Sequence, residues 1–235
     1  MMDFTSLPTR KKSYGGANGN KICVIINDQL YMLKLPSHAP KNINLSYANS
    51  CISEYLGCHI FNMLGMNAQE TILGNYFYKD INRISVACKD FENNGYKLMD
   101  FASVKNQIID SKSNGYGTDI KDIVETIEKQ KIMDPIELSN HFWNMFVIDA
   151  LIGNWDRHNG NWGFLYNQDT DDAYLAPIFD KIEPHTHLFV SKALFFLSIF
   201  EKKYRKISNY CAYVNEFSQL IYKVYKCIFL LCICH

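Results

Sequence analysis

The sequence predicts an α+β fold in two lobes, with a β-rich N-lobe over residues 1–90, a helical C-lobe over 91–180 and a divergent tail over 181–235. Three observations carry this reading. Short alternating apolar runs crowd residues 1–90, the mark of half-buried strands. Helix-period patterns with clear start signals dominate from Ile120 to Ile152. The composition then steps: all 12 glycines lie at or before Gly163, and residues 1–180 hold 16 Lys+Arg against 21 Asp+Glu, whereas 181–235 hold 8 against 3.

Taken in order, GGANGNK is a glycine-rich turn, and KICVIINDQLYMLKL (21–35) alternates around Asn27-Asp28, the pattern of a hairpin with a tight turn. Residues 46–64 place Cys51, Tyr55 and Cys58 on one helical stripe and stop at Gly65. Two strands are expected at Glu70–Tyr78 and Arg83–Lys89, and the chain is expected to turn helical after Asp90. Ile120, Ile123, Val124 and Ile127 follow the spacing of an amphipathic helix. Asp134-Pro135 opens a long helix, with Asp134 as N-cap and Pro135 at N1, that runs to Gly153. The polar loop NWDRHNGN follows, then short strands near Trp162–Tyr166 and Tyr174–Phe179.

Composition excludes several function classes. At 235 residues and 48% apolar, the chain can bury a sizeable core. Zero net charge argues against a nucleic-acid binder that works through bulk electrostatics. Cys23, Cys51, Cys58 and Cys88 sit inside apolar periodic segments and show no disulfide framework, so a reducing, cytoplasmic setting is expected. The N-terminus lacks a signal-peptide apolar stretch, and the longest apolar run near the end, Cys227–Cys234, is too short to span a bilayer. Cys232, Cys234 and His235 lack a second ligand pair and are read as a chance cluster rather than a metal site.

The strongest chemical signal is Asn154-Trp155-Asp156-Arg157-His158-Asn159-Gly160-Asn161, followed by Pro177-Ile178-Phe179-Asp180. Phosphoryl transfer to a hydroxyl needs a carboxylate to orient the hydroxyl and take its proton, and hard oxygen ligands to hold Mg²⁺ against the phosphates. Asp156 and Asn161 stand five residues apart in one loop, and Asp180 ends a following strand, the order these roles require. A solvated Asn/Asp/Gly turn with no chemistry has the same composition. Its placement directly after a long apolar helix favours the functional reading. Gly15, Gly16 and Gly19 would let backbone N–H groups approach a phosphate, although GGANGNK is neither a Walker A string nor G-x-G-x-x-G, and a plain flexible turn fits it as well.

The pattern N-x-D-R-H-x-x-N followed by a-P-x-x-D resembles the signature of the HipA-like protein kinases. The longer string FWNMFVIDALIGNWDRHNGNWGFLY, with GGANGNK and SEYLGCHI upstream, resembles their stand-alone cell-translocating branch, over roughly residues 14–180. The resemblance implies a two-lobed protein-kinase-like fold and an ATP- and Mg²⁺-dependent serine/threonine kinase. It makes Asp156 the catalytic base, Asn161 and Asp180 the metal ligands, Lys34 the phosphate-binding lysine with Glu54 as its partner, and Gly15, Gly16 and Gly19 the cofactor-binding turn. Without it, Lys34 and Glu54 read equally well as an edge lysine and a surface glutamate. The segment 86–90 falls where a hinge would meet adenine, and Arg157 and His158 are expected to serve as hydrogen-bonding scaffold. The resemblance further implies self-phosphorylation near the glycine turn, for which Ser13 is the nearest hydroxyl, a protein substrate, an antitoxin-like or host-cell partner, and delivery into host cells. No direct contact with nucleic acid or membrane is expected.

After Asp180 the sequence reads Lys181-Ile182-Glu183-Pro184-His185 where the family has a small-residue turn. The C-lobe is therefore expected to be incomplete and activity weak. Two other readings remain: a degenerate kinase fold that binds nucleotide or a partner without turnover, and a small-molecule phosphotransferase.

Overall fold

The computed structural model describes residues 1–14, 21–35, 49–78, 81–109, 113–154 and 156–179. The first part is a six-stranded sheet in the order β1-β5-β6-β4-β3-β2. Its strands are β1 (Met2–Asp3), β2 (Thr9–Arg10), β3 (Lys21–Ile26), β4 (Gln29–Lys34), β5 (Thr71–Tyr78) and β6 (Ile81–Lys89). All neighbours pair antiparallel except β1 and β5, which run parallel. Asn27 and Asp28 both adopt positive φ, 49° and 61°, as a two-residue hairpin turn demands when it must match the twist of its strands.

Strand alternation divides the β3–β4–β6 ladder into two apolar faces. One carries Val24, Ile26, Tyr31, Leu33 and Ala87 and is covered by Phe4 from the N-terminal segment. The other carries Val86 and Cys88 and is covered by Cys51 and Tyr55 of helix α1 (Asn49–Met63). That helix ends at Gly65, which takes φ +89°. The helix and strand expectations over residues 49–89 hold to within a residue or two.

Past Asp90 the chain does not turn helical at once, contrary to expectation, but first forms a strand. Residues Tyr96–Asp100 form a strand, β7, paired with β8 (Gly163–Asn167), which in turn pairs with β9 (Asp172–Leu175). The second strand of that hairpin is thus Asp172–Leu175 rather than Tyr174–Phe179. Close strand approach explains Gly163: a Cβ there would lie 2.3 Å from the Met99 carbonyl oxygen. Asp100 then caps helix α2 (Phe101–Ile108) by accepting from the Ser103 amide at 2.8 Å. Helices α3 (Ile120–Lys129) and α4 (Pro135–Ile152) follow. Asp134 caps α4 by accepting from the Ile136 amide, Pro135 opens it, and Gly153 closes it in the left-handed conformation at φ 71°.

One apolar core fills this second part. Leu138, Phe142, Met145, Ile148 and Ile152 of α4 meet Phe101, Val104, Ile123, Ile127, Trp162 and Phe164, and α1 reaches into it with Cys58, Phe61 and Leu64. A parallel bridge, Ala68 to Ile178, ties the chain after α1 to the segment that leads to Asp180. The Gln69 amide donates to the Ile178 carbonyl, and the Ile178 amide to the Asn67 carbonyl, both at 2.9 Å. Among the described residues no helix is long and apolar enough to cross a membrane.

Candidate active site

Lys34 ends β4 and Glu54 lies in the second turn of α1, which covers that face of the sheet. Their side chains meet with Lys34 Nζ 2.5 Å from Glu54 Oε1, exposed by only 13% and 6%. A buried ion pair is costly to desolvate and is weak evidence for stability, which makes this pair a candidate for a task other than holding the fold. Cys88 Sγ lies 3.5 Å from Glu54 Oε1, and Cys51 Sγ lies 3.5 Å from the Lys34 carbonyl oxygen. Burial, reinforced by the Glu54 charge, pushes the Cys51 thiol up to about 11 and the Cys58 thiol up to about 12. The same effects hold the Cys88 thiol well above its ordinary value.

The polar loop after α4 is built around a buried acid. Asp149, in the last turns of α4, accepts from Arg157 Nε at 2.8 Å, from Arg157 Nη2 at 3.1 Å and from Asn154 Nδ2 at 2.7 Å. Arg157 Nη1 donates to the carbonyls of Asn161 at 2.8 Å and Phe179 at 2.7 Å. His158 caps a 3-10 turn at Asn159–Asn161, its Nδ1 accepting from the Gly160 amide. The buried Asn159 donates to the carbonyls of Gly115 and Gly117 at 2.8 and 2.7 Å, which fastens the loop to the chain ahead of α3. Trp162 stacks on Phe101, centroids 4.0 Å apart, and closes the loop's far side.

This scaffold leaves Asp156 exposed. Asn161 is buried, and its Nδ2 donates to the Asp156 carbonyl at 3.4 Å, so the predicted base and metal ligand occupy one locally bonded loop. Lys34 and Glu54 form the predicted pair. Gly15, Gly16, Gly19 and Asp180 lie outside the described residues. The neighbour of Asp180, Phe179, is bonded to the same guanidinium that holds the loop. Cys58 lies one turn beyond Glu54 on α1, and its side chain is buried in the second apolar core. Among the described residues no cluster of three or more His, Cys, Asp or Glu could hold a metal ion.

The family model described as the HipA-like C-terminal domain matches residues 12–224. The chain belongs to that family. The match continues past Asp180, where the motif-based resemblance ends, into the segment expected to be unmatched. The serine/threonine-protein kinase CtkA of Helicobacter pylori strain J99 is 47% identical over 180 residues, which cover 76% of this chain and 54% of that protein. The chain thus spans about half the length of this relative. The crystal structure of a Helicobacter pylori proinflammatory kinase CtkA aligns with a TM-score of 0.70 at 47% identity, covering 76% of this chain and 59% of that one. The α+β, two-lobed, HipA-like kinase fold expected from the sequence is therefore the fold of this chain.

Within this HipA-like frame, sequence reasoning missed Asp149 and Asn159 and gave Asn154 no role. Asp149 did leave a signal, a lone acid in the apolar run MFVIDALI that has to find a cationic partner once buried. The expected scaffold role of Arg157 and His158 matches their bonds.

Proposed function

We propose that this chain is an ATP- and Mg²⁺-dependent protein serine/threonine kinase of the HipA-like type, transferring a γ-phosphate to a protein hydroxyl. The observation that carries the reading is the buried Lys34–Glu54 pair, which joins the sheet to α1, together with a hydrogen-bonded loop after α4 that leaves Asp156 exposed. Likeness to a serine/threonine-protein kinase over 180 residues supports it.

The residues present fit a nucleotide. Glu54 holds the Lys34 ammonium ready for phosphate oxygens. Asn161 offers an amide oxygen, a hard donor suited to Mg²⁺, and Asp180 would complete the set with a carboxylate. Bound Mg²⁺ would neutralise phosphate charge. Asp156 orients the acceptor hydroxyl and takes its proton. Arg157 fixes the loop so that this carboxylate meets the hydroxyl without first rearranging. The proposed division is a nucleotide-binding lobe at 1–90, a catalytic lobe at 91–180 and a tail at 181–235. A host-cell or antitoxin-like protein is the proposed partner, and self-phosphorylation is proposed at Ser13, which is exposed.

The test is incubation of the full chain with γ-labelled ATP, Mg²⁺ and a generic protein acceptor, followed by phospho-amino-acid analysis. Label on serine or threonine supports the proposal. Label only on a small-molecule acceptor favours a small-molecule phosphotransferase, and ATP binding without any label favours a nucleotide-binding module.

A further inference from the structure

A network separate from the Lys34–Glu54 pair joins the N-terminal segment to the linker between the lobes. Asp90, the first residue after β6, has a side chain only 6% exposed, and its ion-pair partner is Lys12, Nζ to Oδ2 at 2.5 Å. The Tyr14 hydroxyl donates to the same oxygen at 3.0 Å and lies 3.3 Å from Cys23 Sγ. Lys12 Nζ also lies 3.3 Å from Glu92 Oε2. The acids are in turn bonded to the backbone. Asp90 Oδ1 accepts from the Glu92 amide at 3.0 Å, and Glu92 Oε1 accepts from the Leu98 amide of β7 at 3.0 Å. The Asp90 amide donates to the Leu30 carbonyl at 2.9 Å. Two side chains from one segment thus brace the whole path from the six-stranded sheet to the second lobe.

The register shows which face this brace occupies. Lys21 pairs with Lys34, and Cys23 with Met32, which pairs with Cys88. Paired residues share a face, and residues two apart along a strand share it too. Cys23, Met32 and Cys88 therefore lie on the Lys34 face, one step toward the linker, and the Tyr14 hydroxyl beside Cys23 borders that face. If Lys34 holds phosphate, the nucleoside lies toward Cys23 and Asp90. Burial, with the Cys23 contact and the Asp90 charge, raises the Tyr14 phenol far above its ordinary value, so it remains a donor to Asp90 at any working pH.

We propose that Lys12 and Tyr14 are positioning residues for the nucleoside end of the cleft, holding Asp90 and the linker backbone at a fixed spacing from the Cys23–Met32–Cys88 roof. This rests on the nucleotide-binding reading above. It predicts a signature that the phosphate-binding lysine does not share. Adenosine has no phosphate for Lys34 to grip, yet it depends on the linker and roof as much as ATP does.

The experiment is calorimetric titration of the full chain with adenosine and with ATP·Mg²⁺, for the natural sequence, Tyr14→Phe, Lys12→Met, Asp90→Asn, Lys12→Met with Asp90→Asn, and Lys34→Ala. Tyr14→Phe and Asp90→Asn are near-isosteric, and a melting curve for each variant corrects affinity for the folded fraction. Tyr14→Phe and Lys12→Met should weaken adenosine and ATP by the same factor, about 3- to 10-fold. Lys34→Ala should weaken ATP alone, and the double variant should lose no more than the larger single loss. Unchanged adenosine affinity in Tyr14→Phe and Lys12→Met, or additive losses in the double variant, would overturn the assignment while leaving ATP binding standing. Failure of the natural sequence to bind either ligand would overturn the nucleotide reading itself.

Discussion

Arg157 grips Asp149 through two nitrogens, Nε to Oδ2 at 2.8 Å and Nη2 to Oδ1 at 3.1 Å, and spends its third on the carbonyls of Asn161 and Phe179. One guanidinium thereby joins helix α4, the loop that presents Asp156 and the segment that leads to Asp180. Its planar fork suits this task, and a lysine ammonium cannot reproduce the bidentate pairing.

Removing one partner of this pair should be severe. Asp149→Ala leaves a cation 11% exposed with no carboxylate, and breaking such a pair costs about 3–5 kcal/mol, much of a typical stability of about 5–15 kcal/mol. Arg157→Lys should cost less, because charge is kept and only the fork is lost. Urea denaturation of both variants checks the order. A loss under about 1 kcal/mol for Asp149→Ala would show that the pair is not what holds the loop.

How much of this was legible beforehand follows from the range of each interaction. The Asn27-Asp28 hairpin and the Asp134-Pro135 to Gly153 helix were readable, because their signals are local: turn conformation, a capping carboxylate, a residue that tolerates positive φ. Strand β7 was not readable, since Tyr96–Asp100 becomes a strand only by pairing with Gly163–Asn167, more than sixty residues on. In the candidate site, Asp156 and Asn161 stood out by their spacing, whereas the pairing of Lys34 with Glu54 needed the family resemblance, because strand and helix come together only in the fold. Asp149 was overlooked because its partner lies beyond the end of its own helix.

The Lys34–Glu54 pair should matter to nucleotide affinity more than to stability. Glu54→Gln keeps the size of the side chain and a hydrogen-bond acceptor but removes the charge that orients Lys34. It should weaken ATP·Mg²⁺ binding about tenfold, on the scale of one charge-assisted hydrogen bond. Calorimetric titration measures this directly, and affinity equal to that of the natural sequence would remove Glu54 from the site.

His141 should make the fold sensitive to acid. Burial, with the Arg157 charge nearby, pushes its imidazole down to about 4, and its buried Nε2 has no hydrogen-bond partner among the described residues. The unfolded chain takes up a proton near pH 6.5 and the folded chain does not until about 4, so stability falls as pH drops across that window. The loss is roughly 3 kcal/mol once pH reaches the lower value. His141→Phe should flatten this part of the stability–pH curve. An unchanged slope between pH 6.5 and 4 in the variant would show that other groups cause it.

The thiols around Glu54 should be inert in the folded protein. Cys51, Cys58 and Cys88 are buried and held protonated at neutral pH, and the thiolate is the reactive form. Iodoacetamide at pH 7.5, read by peptide mass spectrometry, should leave all three unmodified until denaturant is added. Rapid native labelling of any one would mean that this face of the sheet opens readily.

Phosphotransfer by Asp156→Asn, with ATP affinity measured on the same sample, tests the central claim most directly. A positioned acid–base group contributes about 10²–10⁴-fold, and the Lys34–Glu54 and Arg157–Asp149 ion pairs are made without the Asp156 carboxylate. The account predicts that the variant binds ATP·Mg²⁺ as tightly as the natural sequence and incorporates γ-phosphate at least a hundredfold more slowly. Incorporation at the natural rate would contradict the assignment of Asp156 as the base and, with it, the mechanism built on this loop.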